Sequence, residues 1–516
     1  MIKPIRLLPA FLSVGTWTMA SRVLGLARDV IMAALLGTGP VAQAFLIAFT
    51  LPNMFRRFFA EGAFNLAFVP LFAKKVEGGE DASRFGSDAL SGLATFLIAF
   101  TLIGQLAMPW LVFALAAGFA GDERFDLAVL YGRIAFPYIL FISLTALLSG
   151  VLNSLGRFAL AAAAPILMNA VMIAFLLIGY WTDGDIGLWQ IWSVPVAGVA
   201  QLALVWWGAK RAGMPIRLRL PRLTPELRHL AVVAGPAVLA GGVIQINLIV
   251  GRQVGSFFDG AVAWLSYADR LYQLPLGVVG IAIGVVLLPD LSRRLRAGDA
   301  AGGRDAVNRA TEFTLALTLP AAVALMVIPL PIVAVLFERG AFGPGDSAAT
   351  ALAVAVYGAG LPAFVLQKVL SPLYYAREDT RSPFRFAAHA MLVNAAVAIG
   401  LAPFIGWIAA ALGTTIAGWT MFAQLWAGTR AMDGAAEIDA RLRRALPRIA
   451  LCCLVMGLAL WAAERALAPA LALEGLRYPA LAALVAIGLG SYGVAVLVTG
   501  AIRLGDVRAA MGRRPA

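Results

Sequence analysis

The chain has 516 residues, of which 61% are hydrophobic and 13% charged, with a mean hydropathy of +0.86. This usage excludes a soluble globular protein, in which charged residues are about twice as frequent. The net charge is +13, and there are only two cysteines, Cys452 and Cys453, adjacent in an apolar stretch where neither a structural bridge nor a zinc site is built.

At the N-terminus, Lys3 and Arg6 precede an apolar run that continues through Arg22 and Arg28 with no cleavage site, which predicts a retained first helix and not a signal peptide. About fourteen stretches of spanning length follow in order, centred near residues 24, 57, 99, 140, 170, 198, 243, 276, 321, 360, 393, 417, 454 and 489. The expected fold is an all-α integral membrane protein of about 14 transmembrane helices with both termini on one side.

The second stretch, QAFLIAFTLPNMFRRFFAEGAFNLAFVP from Gln43 to Pro70, puts two arginines and a glutamate inside a membrane-length run. If one helix runs from Val41 to Lys74, Arg56 lies about 22 Å from one end and about 27 Å from the other at 1.5 Å per residue. That is beyond the reach of snorkelling. Arg57 and Glu61 are i and i+4 on one face and form a pair, while Arg56 points about 100° away with no acid at i+4. Ionisable groups at such depth line cavities or substrate paths.

Loop charge tests the count, because lysine and arginine concentrate in cytoplasmic loops. With the N-terminus inside, the outer loops hold only Arg124, Arg339, Arg465 and Arg477, and basic clusters fall at 74–84, 210–228, 293–309, 377–385, 430–448 and after 502 on the inner side. This one-sidedness accounts for the pI of about 10.2 and leaves nucleic-acid binding without support. Eight basic residues remain within spans, Arg22, Arg28, Arg56, Arg57, Arg133, Arg252, Arg270 and Lys368, against three acids, Asp29, Glu61 and Asp269. Arg133 and Arg252 lie near outer helix ends, where interfacial anchoring competes with function.

An internal repeat organises the chain. Pro70 is followed by Lys74, Lys75, a Gly/acid turn, Arg84 and a new helix; Pro289 is followed at the same spacings by Arg293, Arg294, AGDAAGG, Arg304 and a new helix. Leu148, Ser149 and Asn169 recur as Leu370, Ser371 and Asn394. An even number of spans per unit gives parallel repeats. The expected division is 1–208, a first six-helix lobe; 209–227, a basic cytoplasmic linker, with Thr224 capping a helix start; 228–437, a second six-helix lobe; and 438–516, two further helices and a cytoplasmic tail. The linker's basic residues are expected on an anionic leaflet.

No lysine is followed by Ser or Thr, so there is no Walker A loop; His229 and His389 lack metal-ligand spacing, and no nucleophile has a paired base. The expectation is a transporter and not an enzyme, without cofactor or metal, whose cationic cavity takes an anionic, phosphorylated substrate through bidentate arginines.

The segments SRVLGLARD (21–29), AFTLPNMFRRFFAEGAFNLAFVP (48–70), GVLNSLGRF (150–158), SYADRLYQLPLGVVGIAIGVVLLPDLS (266–292), LFERGAF (336–342) and LYYAREDTRSP (373–383) resemble the MurJ/MviN family of lipid II flippases of the MOP exporter superfamily. The resemblance implies two lobes around a central cavity, a groove on the last two helices for the undecaprenyl tail, and movement of undecaprenyl-pyrophosphate-linked peptidoglycan precursor from the inner to the outer leaflet of the bacterial cytoplasmic membrane. It implies substrate-binding residues Arg22, Arg28, Arg56, Arg57 and Arg270, supported by Asp29, Asn53, Glu61, Asp269 and Lys368. Arg56 and Arg270, one per lobe, are expected on the same pyrophosphate. Expected partners are lipid II, membrane lipids and the cell-wall synthesis machinery, with the chain a monomer. One departure stands at Gln43, where many relatives carry aspartate. The alternatives are a flippase for another polyprenyl-linked oligosaccharide, a small-molecule exporter of the same superfamily and a membrane enzyme acting on a polyprenyl phosphate.

Overall fold

Acidic residues in the turns start several of the helices. Asp81, Asp122, Asp185, Asp299 and Asp439 each accept a backbone N–H at a helix N-terminus, satisfying donors that have no intrahelical partner and placing negative charge at the positive end of the helix dipole. The computed structural model describes residues 7–56, 63–222, 224–228, 249–432 and 434–501, together with Leu230 and Val232. Among them there is no β-strand, only an isolated bridge between Arg339 and Phe342.

Two compact units result, Met1–Ala263 with Arg339–Phe342, and Trp264–Glu338 with Gly343–Ala516. The first holds α1 (Leu7–Leu36), α2 (Pro40–Arg56), α3 (Ala63–Glu77), α4 (Ala82–Leu106), α5 (Met108–Ala116), α6 (Glu123–Ala135), α7 (Tyr138–Ser154), α8 (Phe158–Trp181) and α9 (Ile186–Arg211). The second holds nearly all of α10 (Ala261–Arg296), then α11 (Ala300–Val327), α12 (Pro329–Phe337), α13 (Pro344–Tyr375), α14 (Arg381–Ile405), α15 (Ile408–Gly428), α16 (Ala440–Ala472) and α17 (Arg477–Thr499).

Among the described residues, ten helical segments are long and apolar enough to cross a membrane, α6 and α7 counting as one. Helices α1 and α10, of 30 and 36 residues, are also long enough and carry the charged residues Arg22, Arg28, Asp29, Asp269 and Arg270. With the ten, these account for twelve of the expected fourteen spans; of the other two, the stretch near 57 is described only as α2 and α3 on either side of 57–62, and the one near 243 falls largely on 233–248, both of these ranges being outside the described residues.

The repeat is visible in the order and length of the helices. In each unit a long helix beginning after a capping aspartate (α4, 25 residues; α11, 28) leads to a nine-residue helix with proline in its first turn (α5; α12). A 32-residue segment follows in each (123–154; 344–375) and then two more spans. The turn before the first long helix is also shared: Lys75 bonds Glu80 at 2.6 Å, and Arg294 lies 3.6 Å from Asp299.

Phenylalanines fill the first unit. Phe68 packs on Phe72 and Phe85 with centroids 5.4 and 5.6 Å apart, and Phe55 meets Phe100 and Phe136 edge-on at 5.1 and 5.8 Å. In the second unit, Tyr374 Oη donates to Leu425 O at 2.6 Å and Tyr492 Oη to Ala316 O at 2.6 Å, closing α13 on α15 and α17 on α11. Cys452 and Cys453 are buried in α16, as expected of core residues, with Cys452 Sγ 3.2 Å from Thr499 Oγ1. Thr224 caps a short turn through the Leu227 N–H at 3.2 Å, as its sequence predicts.

The LFERGAF loop closes on the end of α1. Ala341 N–H donates to Ala34 O at 2.8 Å, and two glycines permit the approach: a Cβ on Gly340 (φ +56°) would lie 2.2 Å from Ala34 O, and one on Gly37 (φ +62°) 2.5 Å from Ala341 O.

Candidate functional site

Arg28 and Asp29 are the most deeply buried of the predicted site residues whose surroundings are described, at 6% and 4% exposure. Adjacent helical residues do not normally face each other. Here the long guanidinium folds back, with Nε and Nη2 both donating to Asp29 Oδ1 at 3.0 and 2.6 Å. Its far side is held by α8, where Nη1 donates to Asn169 Oδ1 at 3.1 Å and lies 3.4 Å from Met172 Sδ. Asn169 in turn donates to Ser21 O and Pro165 O at 3.1 and 3.2 Å. The Phe49 ring of α2 lies 6.0 Å from Arg28 Cζ.

Helices α1 and α2 are joined by the short turn at 37–39 and run antiparallel. Asn53 is one turn from Phe49 on the same face of α2, and its Nδ2 donates to Phe49 O at 2.8 Å. Arg22 on α1 and Asn53 and Arg56 on α2 are half-buried, whereas Arg28 is buried. Arg57 and Glu61 lie outside the described residues, and so does their expected pairing.

In the second unit, Asp269 and Arg270 are half-buried on α10. Asp269 Oδ2 accepts from Gln273 Nε2, an i+4 partner that charge-counting did not reveal. The Tyr272 ring meets Tyr357 and Phe364 of α13 at a tilt, with centroids 5.1 and 5.9 Å apart, and Lys368, exposed, follows Phe364 by one turn. No group of three or more His, Cys, Asp or Glu able to hold a metal ion occurs among the described residues.

The site that sequence reasoning missed is at Arg124, expected as an ordinary loop cation. It is buried at 8% exposure, donates from Nε to Asp122 Oδ2 at 2.8 Å, lies 2.9 Å from Asp259 and stacks 4.6 Å from the Phe119 ring centroid. The buried Gln43 completes it. Its Oε1 is 3.5 Å from Arg124 Nη1, and its Nε2 donates to Thr38 O at 3.1 Å. A neutral amide thus stands beside a guanidinium already matched by two carboxylates, which explains how glutamine fits here. The only sequence signal was the acid two residues before Arg124. The Arg124 hydrogen bond holds the Asp122 carboxyl below its ordinary value of 3.8. Nearby, Ala117 N–H donates to Gln253 Oε1 and Gly118 N–H to Ser256 Oγ, both at 3.0 Å, so the 3-10 turn at 117–119 docks on the helical residues 249–256.

Of the peripheral spans' basic residues, Arg133 bonds Gln105 O at 3.3 Å and Arg252 bonds Val262 O at 3.1 Å.

Comparison with known proteins agrees with the sequence motifs. The family model of lipid II flippase MurJ matches residues 32–474. A probable lipid II flippase MurJ of Rhizobium tropici is 50% identical over 427 residues, 81% of this chain and 80% of that protein. A solved lipid II flippase MurJ in an inward closed conformation superposes with a TM-score of 0.79 at 26% identity, over 96% of this chain and 99% of the other. An inward-facing multidrug resistance MATE transporter of the MOP superfamily, 15% identical, shares the fold with a TM-score of 0.69 over 83% of this chain and 99% of the other. The match along most of the chain, together with the arginine-bearing first helices, establishes that this chain belongs to the MurJ family of lipid II flippases, membrane transporters and not enzymes.

Proposed function

We propose that this protein moves lipid II, the undecaprenyl-pyrophosphate-linked peptidoglycan precursor, from the inner to the outer leaflet of the bacterial cytoplasmic membrane by alternating access, both termini being cytoplasmic. The observation that carries the reading is the family match over residues 32–474 with 50% identity to a probable lipid II flippase. Within it, Arg28 acts by position: its donors are taken up by Asp29, Asn169 and Met172, so it fixes the α1–α8 wall. Arg22, Arg56, Arg57 and Arg270 supply the guanidinium forks for the pyrophosphate. Six-helix lobes at 1–208 and 228–437 are the moving parts.

With no Walker A motif in the chain, the drive is the membrane potential, which pushes an anion outward by about 2.3 kcal/mol per charge per 100 mV. The test is leaflet-resolved lipid II in cells depleted of the protein and complemented with variants. Arg56→Ala and Arg270→Ala are expected to block export at normal membrane abundance, with Lys a poor substitute. Export at the wild-type rate in both alanine variants would overturn the assignment, and export that continues after the potential alone is collapsed would overturn the driving force.

A further inference from the structure

Helix α9 ends at Arg211, whose guanidinium lies 5.1 Å from the Trp207 ring, and the chain then runs back along α4. Three serines one turn apart guide it. Ser83 Oγ donates to Pro215 O at 3.3 Å, Arg217 N–H donates to Ser87 Oγ at 3.1 Å, and Arg219 N–H donates to Ser91 Oγ at 2.8 Å. Two residues of this strap keep pace with each helical turn of about 5.4 Å, which only an extended chain can do. The hydroxyls of Ser87 and Ser91 still donate to the carbonyls four residues back, both at 2.7 Å, so each buried serine is used as donor and acceptor at once.

The strap has a direction. It runs from Ser83 towards Ser91, away from the end of a spanning helix and about 13 Å into it at 1.5 Å per residue. An extended backbone at that level needs its N–H groups answered by protein. The serine ladder answers two of them. In an extended chain, residues 216, 218 and 220 share a face. Ile216 is buried over Gly86, whereas Leu218 and Leu220 emerge at 55% and 85% exposure. Arg217 and Arg219 occupy the opposite face, and with Arg211 and Arg222 they are exposed. The arrangement is apolar on one face and cationic on the other, and it continues directly from a membrane span. That is the chemistry of a bilayer boundary carrying anionic head groups.

We propose that residues 214–222 form a binding element for anionic phospholipid: Leu218 and Leu220 enter the acyl boundary, and Arg217, Arg219 and Arg222 take lipid phosphates. This is independent of what the protein transports. The test uses the full chain in nanodiscs, in a Cys452→Ala/Cys453→Ala background, with an environment-sensitive fluorophore on Leu218→Cys or Leu220→Cys. Quenching is compared for nitroxide-bearing phosphatidylglycerol, nitroxide-bearing phosphatidylcholine and aqueous iodide. The expected result is quenching by lipid over iodide, and by phosphatidylglycerol over phosphatidylcholine. Arg217→Gln/Arg219→Gln/Arg222→Gln should lower that head-group preference by up to about a hundredfold, at about fivefold per arginine. A label at the lipid-exposed Leu489→Cys should be quenched by both lipids alike. Quenching of position 220 by iodide alone, or equally by the two lipids with the arginines intact, would overturn the proposal without reference to any variant's folding.

Discussion

Asp29→Asn is the substitution with the largest expected stability effect. It removes the negative charge that faces two Arg28 donors at 3.0 and 2.6 Å, leaving at most a neutral amide oxygen to accept from them, with the side-chain volume unchanged. The attraction lost is about 4 kcal/mol for unit charges about 4 Å apart at an effective dielectric of 20. Asn169 Oδ1 and Met172 Sδ remain near Nη1, but neither carries charge. The guanidinium stays buried, and a buried pair broken on one side costs about 3 to 5 kcal/mol. Removing both charges, as in Arg28→Met/Asp29→Asn, is expected to restore most of the stability, since apolar replacements of buried pairs are about neutral or stabilising by about 1 to 4 kcal/mol. The assay is thermal unfolding of the detergent-purified protein followed by tryptophan fluorescence, with both single variants and the double in one cycle. An Asp29→Asn variant as stable as the parent, or a double variant whose loss equals the sum of the singles, would refute the reasoning. Transport by the stable double variant separates wall-building from direct substrate contact.

Three further outcomes follow from the geometry. Gly340→Ala must place a Cβ 2.2 Å from Ala34 O at a φ of +56°, so it should lower membrane abundance and unfolding temperature, with left-handed strain alone costing about 1 to 2 kcal/mol. Gln43→Leu removes the amide that donates to Thr38 O, a loss of about 0.5 to 1.5 kcal/mol, whereas Gln43→Asp keeps an acceptor for Arg124 and should be tolerated in the same assay. Because the Asp122 pKa is lowered in the folded chain, its contact with Arg124 contributes stability above about pH 4 and loses it as the pH falls through the lowered value. Hydrogen exchange at 117–124 should rise over that window, and Asp122→Asn should abolish the pH dependence; a profile unchanged by that variant would count against the cause given. For topology, single cysteines at Asp183 and Asp259 should react with an impermeant reagent added outside the cell, and one at Arg217 or Arg294 should not; labelling at either of the last two would sink the orientation.

Contacts within each unit respect the faces that loop charge assigns. Loops around Asp122 and Asp259, both expected outside, meet at Arg124. Lys75, Ser87 and Ser91, expected at or near the inner face, meet the linker at Glu226, Arg217 and Arg219. In the second unit, Arg304 bonds Glu437 and Arg309 bonds Asp439, joining two inner loops.

By itself, the sequence determined the class of the fold, the positions of most spans, the repeat and the family. The reason is that lipid imposes length, apolarity and loop charge on each span one at a time, so these signals are local. It also singled out the arginines expected within spans. What Arg28 packs against was decided only by tertiary structure, because side chains on a helix reach several residues and across neighbouring helices. Spacing separates Arg28 from Asp29 by about 100°; packing against Asn169, Met172 and Phe49 turns the guanidinium back onto its neighbour. Arg124 looked like a loop charge because nothing local shows that Gln43 and Asp259, distant in sequence, join the nearby Phe119 in enclosing it. The linker's basic composition was equally plain, but its extended course along Ser83, Ser87 and Ser91 depends on a helix more than a hundred residues earlier, which no periodicity in the linker records.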